Sequence, residues 1–272
     1  MYVYERRDAA MPQDRTGGPA EPPSPEAGRA WSGHEGAEAF AAVEAGTDWL
    51  LGYPFVFKAL AGADGALLDF GCGPGRVAAH AARALGMRVI GVDASPDMLA
   101  LARKEGPPGA EYHLVADGRV DGLPDACADA AMCNHVLASL PDERTVLEVF
   151  TEIHRLLRPG ARFAVLTTDP ACAGIEYASL RVGEPGVTYG PGEPMPVRLR
   201  RTDGTWQSVR NHAWPVEAFP PLLERVGFAA VAQHHPTPDE AVGVADPEHV
   251  RGRDWSAERL RPPLVVTTAV KR

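Results

Sequence analysis

Between residues 66 and 168 the apolar positions follow two alternating patterns. Short apolar runs bounded by breakers, at 66–70, 87–92, 111–116, 129–134 and 161–168, read as buried strands. Between them the spacing switches to the helical period. Residues 76–85 carry an Ala-rich face (Val77, Ala78, Ala81, Ala82, Leu85), and 142–158 place apolar residues at 146, 149, 150, 153, 156 and 157. Ser95-Pro96 is a helix start, a cap followed by proline at the first helical position, and that helix runs to about 105 through Met98, Leu99 and Leu101. Gly86 ends one helix, and Pro159-Gly160 is expected to end the helix from 142. The alternation predicts an α/β fold, doubly wound, with five parallel strands and helices on both faces.

The flanks break the rhythm. Residues 1–29, rich in Pro, Gly, Ala and charge, read as a disordered tail. From 36 to 60 the apolar spacing suits one or two amphipathic helices interrupted near Gly52 and Pro54. Beyond the fifth strand, 197–201 and 205–212 alternate around Asp203-Gly204, a hairpin signal. A helix at 216–226 follows, and 229–233 and 264–269 read as a closing antiparallel pair separated by a polar loop at 235–262. The expected organisation is a tail (1–29), a helical lid (30–60) and one domain (61–272) with a hairpin insertion about 171–214.

Charge narrows the partners. The 272 residues hold 36 acids against 27 Lys plus Arg, a net charge of −9. A nucleic-acid binder needs a basic stripe to neutralise phosphates, and only Arg198, Arg200 and Arg201 cluster here, so no nucleic-acid partner is expected. Cys72, Cys127, Cys133 and Cys172 form no C-x-x-C pair and read as reduced thiols in a cytoplasmic protein. No apolar run reaches a membrane-spanning length, and the first residues lack a signal-peptide core. Monomer and homodimer are both compatible with this surface.

The chemistry concentrates at 66–75, Ala-Leu-Leu-Asp-Phe-Gly-Cys-Gly-Pro-Gly. Gly71, Gly73 and Gly75 allow a sharp turn and a close approach of backbone to ligand. Eighteen residues beyond Gly75, the second strand ends in Asp93, as in α/β sheets that hold a nucleoside. The dinucleotide fingerprint needs a third glycine at 76, where this chain has Arg76. The spacing G-x-G-x-G with Asp69 upstream resembles instead the first motif of class I S-adenosylmethionine (SAM)-dependent methyltransferases, over roughly residues 60–170. SAM has a sulfonium and an ammonium but no phosphate, so an acid beside the glycine loop suits it.

The resemblance implies a Rossmann-like, seven-stranded sheet and a set of cofactor residues. Asp69 with Gly71, Cys72, Gly73 and Gly75 would hold the methionine half, and Asp93 would accept both ribose hydroxyls. Ala94 and Met98 would flank the adenine, Asp117 and Gly118 would contact its amino group, and Asn134 and His135 would close the site at the fourth strand's end. Segment 30–60 would pack over the cofactor.

Methyl transfer is an in-line substitution that positioning and water exclusion promote, with a base needed only where the acceptor loses a proton. Candidates near the carboxyl rim of the sheet are His135, Glu176, Tyr177, Tyr189 and His212. Tyr53, Tyr177, Trp206 and Trp214 could line a pocket for a flat acceptor, though each also fits ordinary packing. No H-x-x-x-H or HExxH pattern points to a metal. Asn134-His135-Val136-Leu137 at the fourth strand's end is not the Pro-Pro-aromatic signature that amino-methylating DNA enzymes resemble, and lacks the carboxylates of the metal-dependent catechol type. No Pro-Cys dipeptide occurs, as the cytosine-C5 type needs, and no paired-glutamate loop like that of protein arginine methyltransferases is found. That leaves the group acting on small molecules in specialised metabolism, with an aromatic or nitrogen-heterocyclic acceptor, such as an indole, as the expectation. A nicotinamide-dependent oxidoreductase and a non-catalytic binding module are the alternatives.

Overall fold

The computed structural model describes Pro25, Trp31, and residues 33–116 and 118–272. The tail expected over 1–29 therefore lies, apart from Pro25, outside the described residues, as does Asp117. Three helices, α1 (Gly33–Ala41), α2 (Gly46–Leu51) and α3 (Tyr53–Leu60), precede β1 (Ala66–Phe70). The alternating core continues with α4 (Arg76–Leu85), β2 (Arg88–Asp93), α5 (Pro96–Glu105), β3 (Glu111–Ala116) and a two-residue β4 (Arg119–Val120). It closes with β5 (Ala128–Asn134), α6 (Glu143–Leu156) and β6 (Leu157–Thr168). Then come β7 (Leu180–Val182), β8 (Pro194–Arg200), β9 (Trp206–His212), α7 (Phe219–Val226) and β10 (Phe228–His234). Short helices α8 (Pro238–Ala241), α9 (Pro247–Val250) and α10 (Ser256–Leu260) lead to β11 (Leu264–Lys271).

The main sheet has the order β10-β11-β6-β5-β1-β2-β3-β4. β3, β2, β1, β5 and β6 are parallel neighbours, as expected, and β11 lies antiparallel between β6 and β10. The eighth strand, β4, folds back on β3 through Gly118 at φ +74°, and so adds one edge strand to the seven expected. Strand order reverses between β1 and β5, and the crevice outside the carboxyl ends there is where such sheets bind ligands.

Every residue of β1 is buried, and its side chains alternate between two cores. Leu68 and Phe70 join Phe150, Ile153, Phe163 and Phe219 on one face. Leu67 joins Met132, Leu166, Val56 and Leu50 on the other, so α2 and α3 are core as well as cover. β7, β8 and β9 form a separate antiparallel sheet around Val182, Met195, Val197 and Val209.

Three expectations need correcting. The helix from 142 ends at Leu156, and Pro159-Gly160 lies inside β6. Proline disfavours helical backbone at Arg158, so the chain is already extended at Leu157 (φ −77°, ψ 148°). Gly160, at φ +82°, then sits where the β5–β6 register shifts. The polar loop at 235–262 holds three short helices whose Ala241 and Trp255 reach the α2–α3 core. The helix at 216–226 opens as a 3₁₀ turn over Val216–Ala218, and only the rest is α-helical.

One ion pair anchors the β3–β4 corner. Glu152, 5% exposed, accepts from Val120 N at 2.8 Å and from Arg155 at 2.6 and 2.9 Å. Arg155→Ala leaves that carboxylate buried and unpaired, so urea unfolding should show a loss of roughly 3 kcal/mol; an unchanged midpoint would refute the anchor.

Candidate functional site

The loop after β1 is shaped by its glycines and by one carboxylate. Gly71 sits at φ +81°, and a Cβ there would stand 2.1 Å from Val136 Cγ2. Gly75, at φ +80°, caps α4 with the same left-handed backbone. The N–H groups of Gly71 and Cys72 donate to the Val92 carbonyl at 2.7 and 2.9 Å, tying the loop to β2. Asp93, at the tip of β2, accepts from Gly73 N through Oδ2 and from Ser95 N through Oδ1, both at 2.8 Å. Ser95 in turn caps α5 by accepting from Met98 N at 3.3 Å.

Asp69 is 2% exposed, and its Oδ2 has no hydrogen-bond partner. Burial, and then the charge of Asp93, push its carboxyl from 3.8 up to about 7. Asp93 is also raised by burial, against the opposing N–H groups of Ser95, Gly73 and Ala94. Cys72 is pushed up by burial and then by both aspartates, so its thiol stays protonated. The Tyr53 hydroxyl is raised by burial, then by Asp48 and Asp69, with Arg76 opposing. This low-dielectric, acid-lined mouth favours a cation and repels phosphate.

At the end of β5, both polar atoms of the Asn134 amide are buried without partners. His135 follows at φ +61°, its N–H donating to the Leu166 carbonyl at 2.9 Å. Its Nε2 lies 2.7 Å from Asp48 Oδ1 on α2. Over the loop, Phe40 of α1 comes within 3.6 Å of the point where a Gly73 Cβ would lie, and Trp31 packs edge-on against it. Arg76 donates to the Ala41 carbonyl at 2.7 Å and so holds α1 down.

A cleft opens where β6 meets the β8–β9 hairpin, lined among others by Leu137, Thr167, Met195, His212, Trp214 and Phe219. His212 Nδ1 lies 3.0 Å from the Gly192 carbonyl, so that nitrogen carries the proton and Nε2 is left as an acceptor. Trp214 donates to the Leu140 carbonyl at 3.0 Å. Thr167 Oγ1 is buried and unpartnered.

The other candidates fall elsewhere. Glu176 is exposed, and it shares a second groove with Tyr177, whose hydroxyl donates to the Arg261 carbonyl at 2.9 Å. Tyr189 accepts from Glu184 N at 3.0 Å, and Trp206 lies 5.3 Å beneath Arg198. The structure thus joins His212 with Trp214 and His135 with Asp48, but it does not gather the five proposed bases. Asp48 and Thr167 were missed by sequence reasoning. The strand-end position of Thr167 was the available signal, while Asp48 lacked one.

The cradle, the orphaned Asp69 and Asn134 atoms and the acid pair fit a cationic nucleoside without phosphate. Among the described residues, no group of three His, Cys, Asp or Glu is placed to hold a metal. No helix among them is long and apolar enough to cross a membrane.

Comparison with known proteins agrees with this geometry. A methyltransferase domain family matches residues 68–165. The N-demethylindolmycin N-methyltransferase of Streptomyces griseus is 39% identical over 232 residues, covering 82% of this chain and 98% of that protein. The SAM-dependent methyltransferase from Mesorhizobium loti shares the fold at a TM-score of 0.53 and 23% identity, covering 83% of this chain and 98% of its own. The CcbJ methyltransferase from Streptomyces caelestis does so at 0.56 and 18%, covering 84% and 95%. The chain belongs to the class I S-adenosylmethionine-dependent methyltransferases.

Proposed function

We propose that this enzyme methylates a nitrogen atom of a small aromatic or nitrogen-heterocyclic metabolite. The observation that carries the reading is the 39% identity to an N-methyltransferase of a small molecule over 98% of that relative's length. That match runs well beyond the shared cofactor segment at 68–165 and into the segments that build the acceptor side.

On this reading the glycine loop, Asp69 and Asn134 hold the amino-acid half of SAM, and Asp93 holds the ribose. Ala94, Met98 and Gly118 border the adenine. The bound cofactor supplies an electrophilic methyl group. Asp69 keeps a negative charge beside the cationic half, Phe40 of α1 and Trp31 packed against it exclude water, and β5 and β6 aim the acceptor. The acceptor meets the methyl group at the carboxyl rim beside His135, and the neighbouring cleft of Leu137, Met195, His212 and Trp214, about 20 Å³ and so sized for one water, opens to take its ring. Glu176, Tyr177, Tyr189 and Trp206 stand outside that cleft.

Calorimetry with S-adenosylhomocysteine and with a nicotinamide dinucleotide, then turnover of methyl-labelled SAM, tests the reading. N-demethylindolmycin, indoles and phenols would be offered as acceptors. Binding of the homocysteine compound and an N-methyl product are expected; dinucleotide binding alone, or methylation only at oxygen, would overturn it. Thr167→Val removes the unpartnered hydroxyl at constant shape. It should raise the acceptor KM about tenfold, with cofactor affinity unchanged and Tm equal or higher. An unaltered KM would take Thr167 out of the acceptor site.

A further inference from the structure

We infer that Asp48, carried on α2, is the positioning residue that presents His135 as the base for the acceptor's proton. The inference rests on the methyl-transfer reading above. Asp48 is 9% exposed, and its Oδ1 takes the Nε2 side of His135 at 2.7 Å. Nε2 is therefore the protonated nitrogen, and Nδ1, without a partner among the described residues, carries the lone pair.

Two features show that this arrangement is built. First, His135 holds φ +61°, a costly backbone for a residue with a side chain, directly after the unpartnered amide of Asn134. It stands at the carboxyl end of β5, in the rim where this sheet type binds ligands. Second, the first turn of α2 is pinned by a buried polar knot. Thr47 N donates to Ser179 Oγ at 2.8 Å, Thr47 Oγ1 donates to Glu258 Oε1 at 3.1 Å, and Ser179 Oγ lies 3.0 Å from Thr47 Oγ1. Glu258 is fully buried and also accepts from Ala178 N at 2.9 Å. The knot fixes the residue next to Asp48 against two distant segments, so the carboxylate cannot drift from the imidazole. Around the pair, Tyr53 on α3 senses both Asp48 and Asp69 of β1, and Arg76 on α4 supplies the opposing charge.

The proton balance is direct. The acceptor nitrogen forms its bond to the methyl carbon as the carbon–sulfur bond breaks, with that electron pair going to sulfur. The proton the nitrogen then sheds passes to His135 Nδ1 and on to solvent. Asp48 stabilises the imidazolium formed meanwhile.

Asp48→Asn and His135→Asn test this, asparagine being a residue that tolerates the left-handed backbone at 135. With Asp48→Asn, kcat should fall about 100-fold while the KM for SAM stays within twofold. Nitrogen-15 spectra of the imidazole, which need no turnover, should show Nε2 protonated in the wild type and mixed tautomers in Asp48→Asn. His135→Asn should likewise be slow, with the KM for SAM again within twofold. Wild-type kcat in Asp48→Asn beside an active wild type, or a tautomer that ignores the substitution, would overturn the inference. A wild type that binds no cofactor and transfers no methyl group would instead overturn the reading of the reaction.

Discussion

Asp93→Ala should weaken S-adenosylhomocysteine binding on the order of 1,000-fold, measured by calorimetry. Asp93 spends one lone pair of each oxygen on Gly73 N and Ser95 N, at 2.8 Å each. A carboxylate offers about four such sites, so two stay open for a vicinal diol. Charge-assisted hydrogen bonds contribute about 1.5–3 kcal/mol apiece, and losing two reaches the stated factor. Alanine also orphans the Gly73 N–H and slackens the loop, which deepens the loss. Asp93→Asn keeps the shape and one acceptor, and should fall between. Titration curves for Asp93→Ala within threefold of wild type would remove Asp93 from the ribose site.

Asp69→Asn should stabilise the free protein while weakening its hold on SAM. The folded-state value of the Asp69 carboxyl is raised from 3.8 to about 7, chiefly by burial and then by Asp93. A raised acid binds its proton more tightly in the folded chain. Its contribution is therefore complete below pH 3.8 and is lost as pH climbs through about 7. The loss above that range is on the order of 4 kcal/mol as an upper bound. Asparagine escapes it, so the variant's Tm should exceed that of wild type at pH 8 and converge with it at pH 4. A cation brought beside Asp69 favours the ionised form, so cofactor binding near pH 6 should release a proton. Binding heats in buffers of different ionisation enthalpy would detect it. The variant should release none and bind SAM about 10–100-fold more weakly. Equal Tm at both pH values would show that Asp69 is not a strained carboxyl.

The glycine loop, with the strand before it and the helix starts around it, was legible because its constraints are local. An apolar run, three glycines forced to positive φ and a Ser-Pro cap each announce themselves within ten residues. The proposed acceptor side depends on contacts across long stretches. Asp48 and His135 are 87 positions apart, and within an amphipathic run Asp48 looks like any solvent-facing acid. The hairpin could be placed in order, but which of its residues turn to the cleft depends on how it docks. Hence His212 and Trp214 meet there while Tyr189 and Trp206 do not. Helices α8, α9 and α10, of four or five residues, are too short to show a period. They form because a Thr237–Glu240 capping box and the burial of Trp255 hold them.

The place of β11 has a further consequence for how the enzyme is made. Although it comes after every other strand in the chain, it runs between β6 and β10, antiparallel to both. During synthesis β6 must therefore wait with an open edge until residues 264–271 leave the ribosome, and an open edge invites pairing with neighbouring nascent chains. Covering that edge during translation, as a chaperone would, should raise the yield of active enzyme.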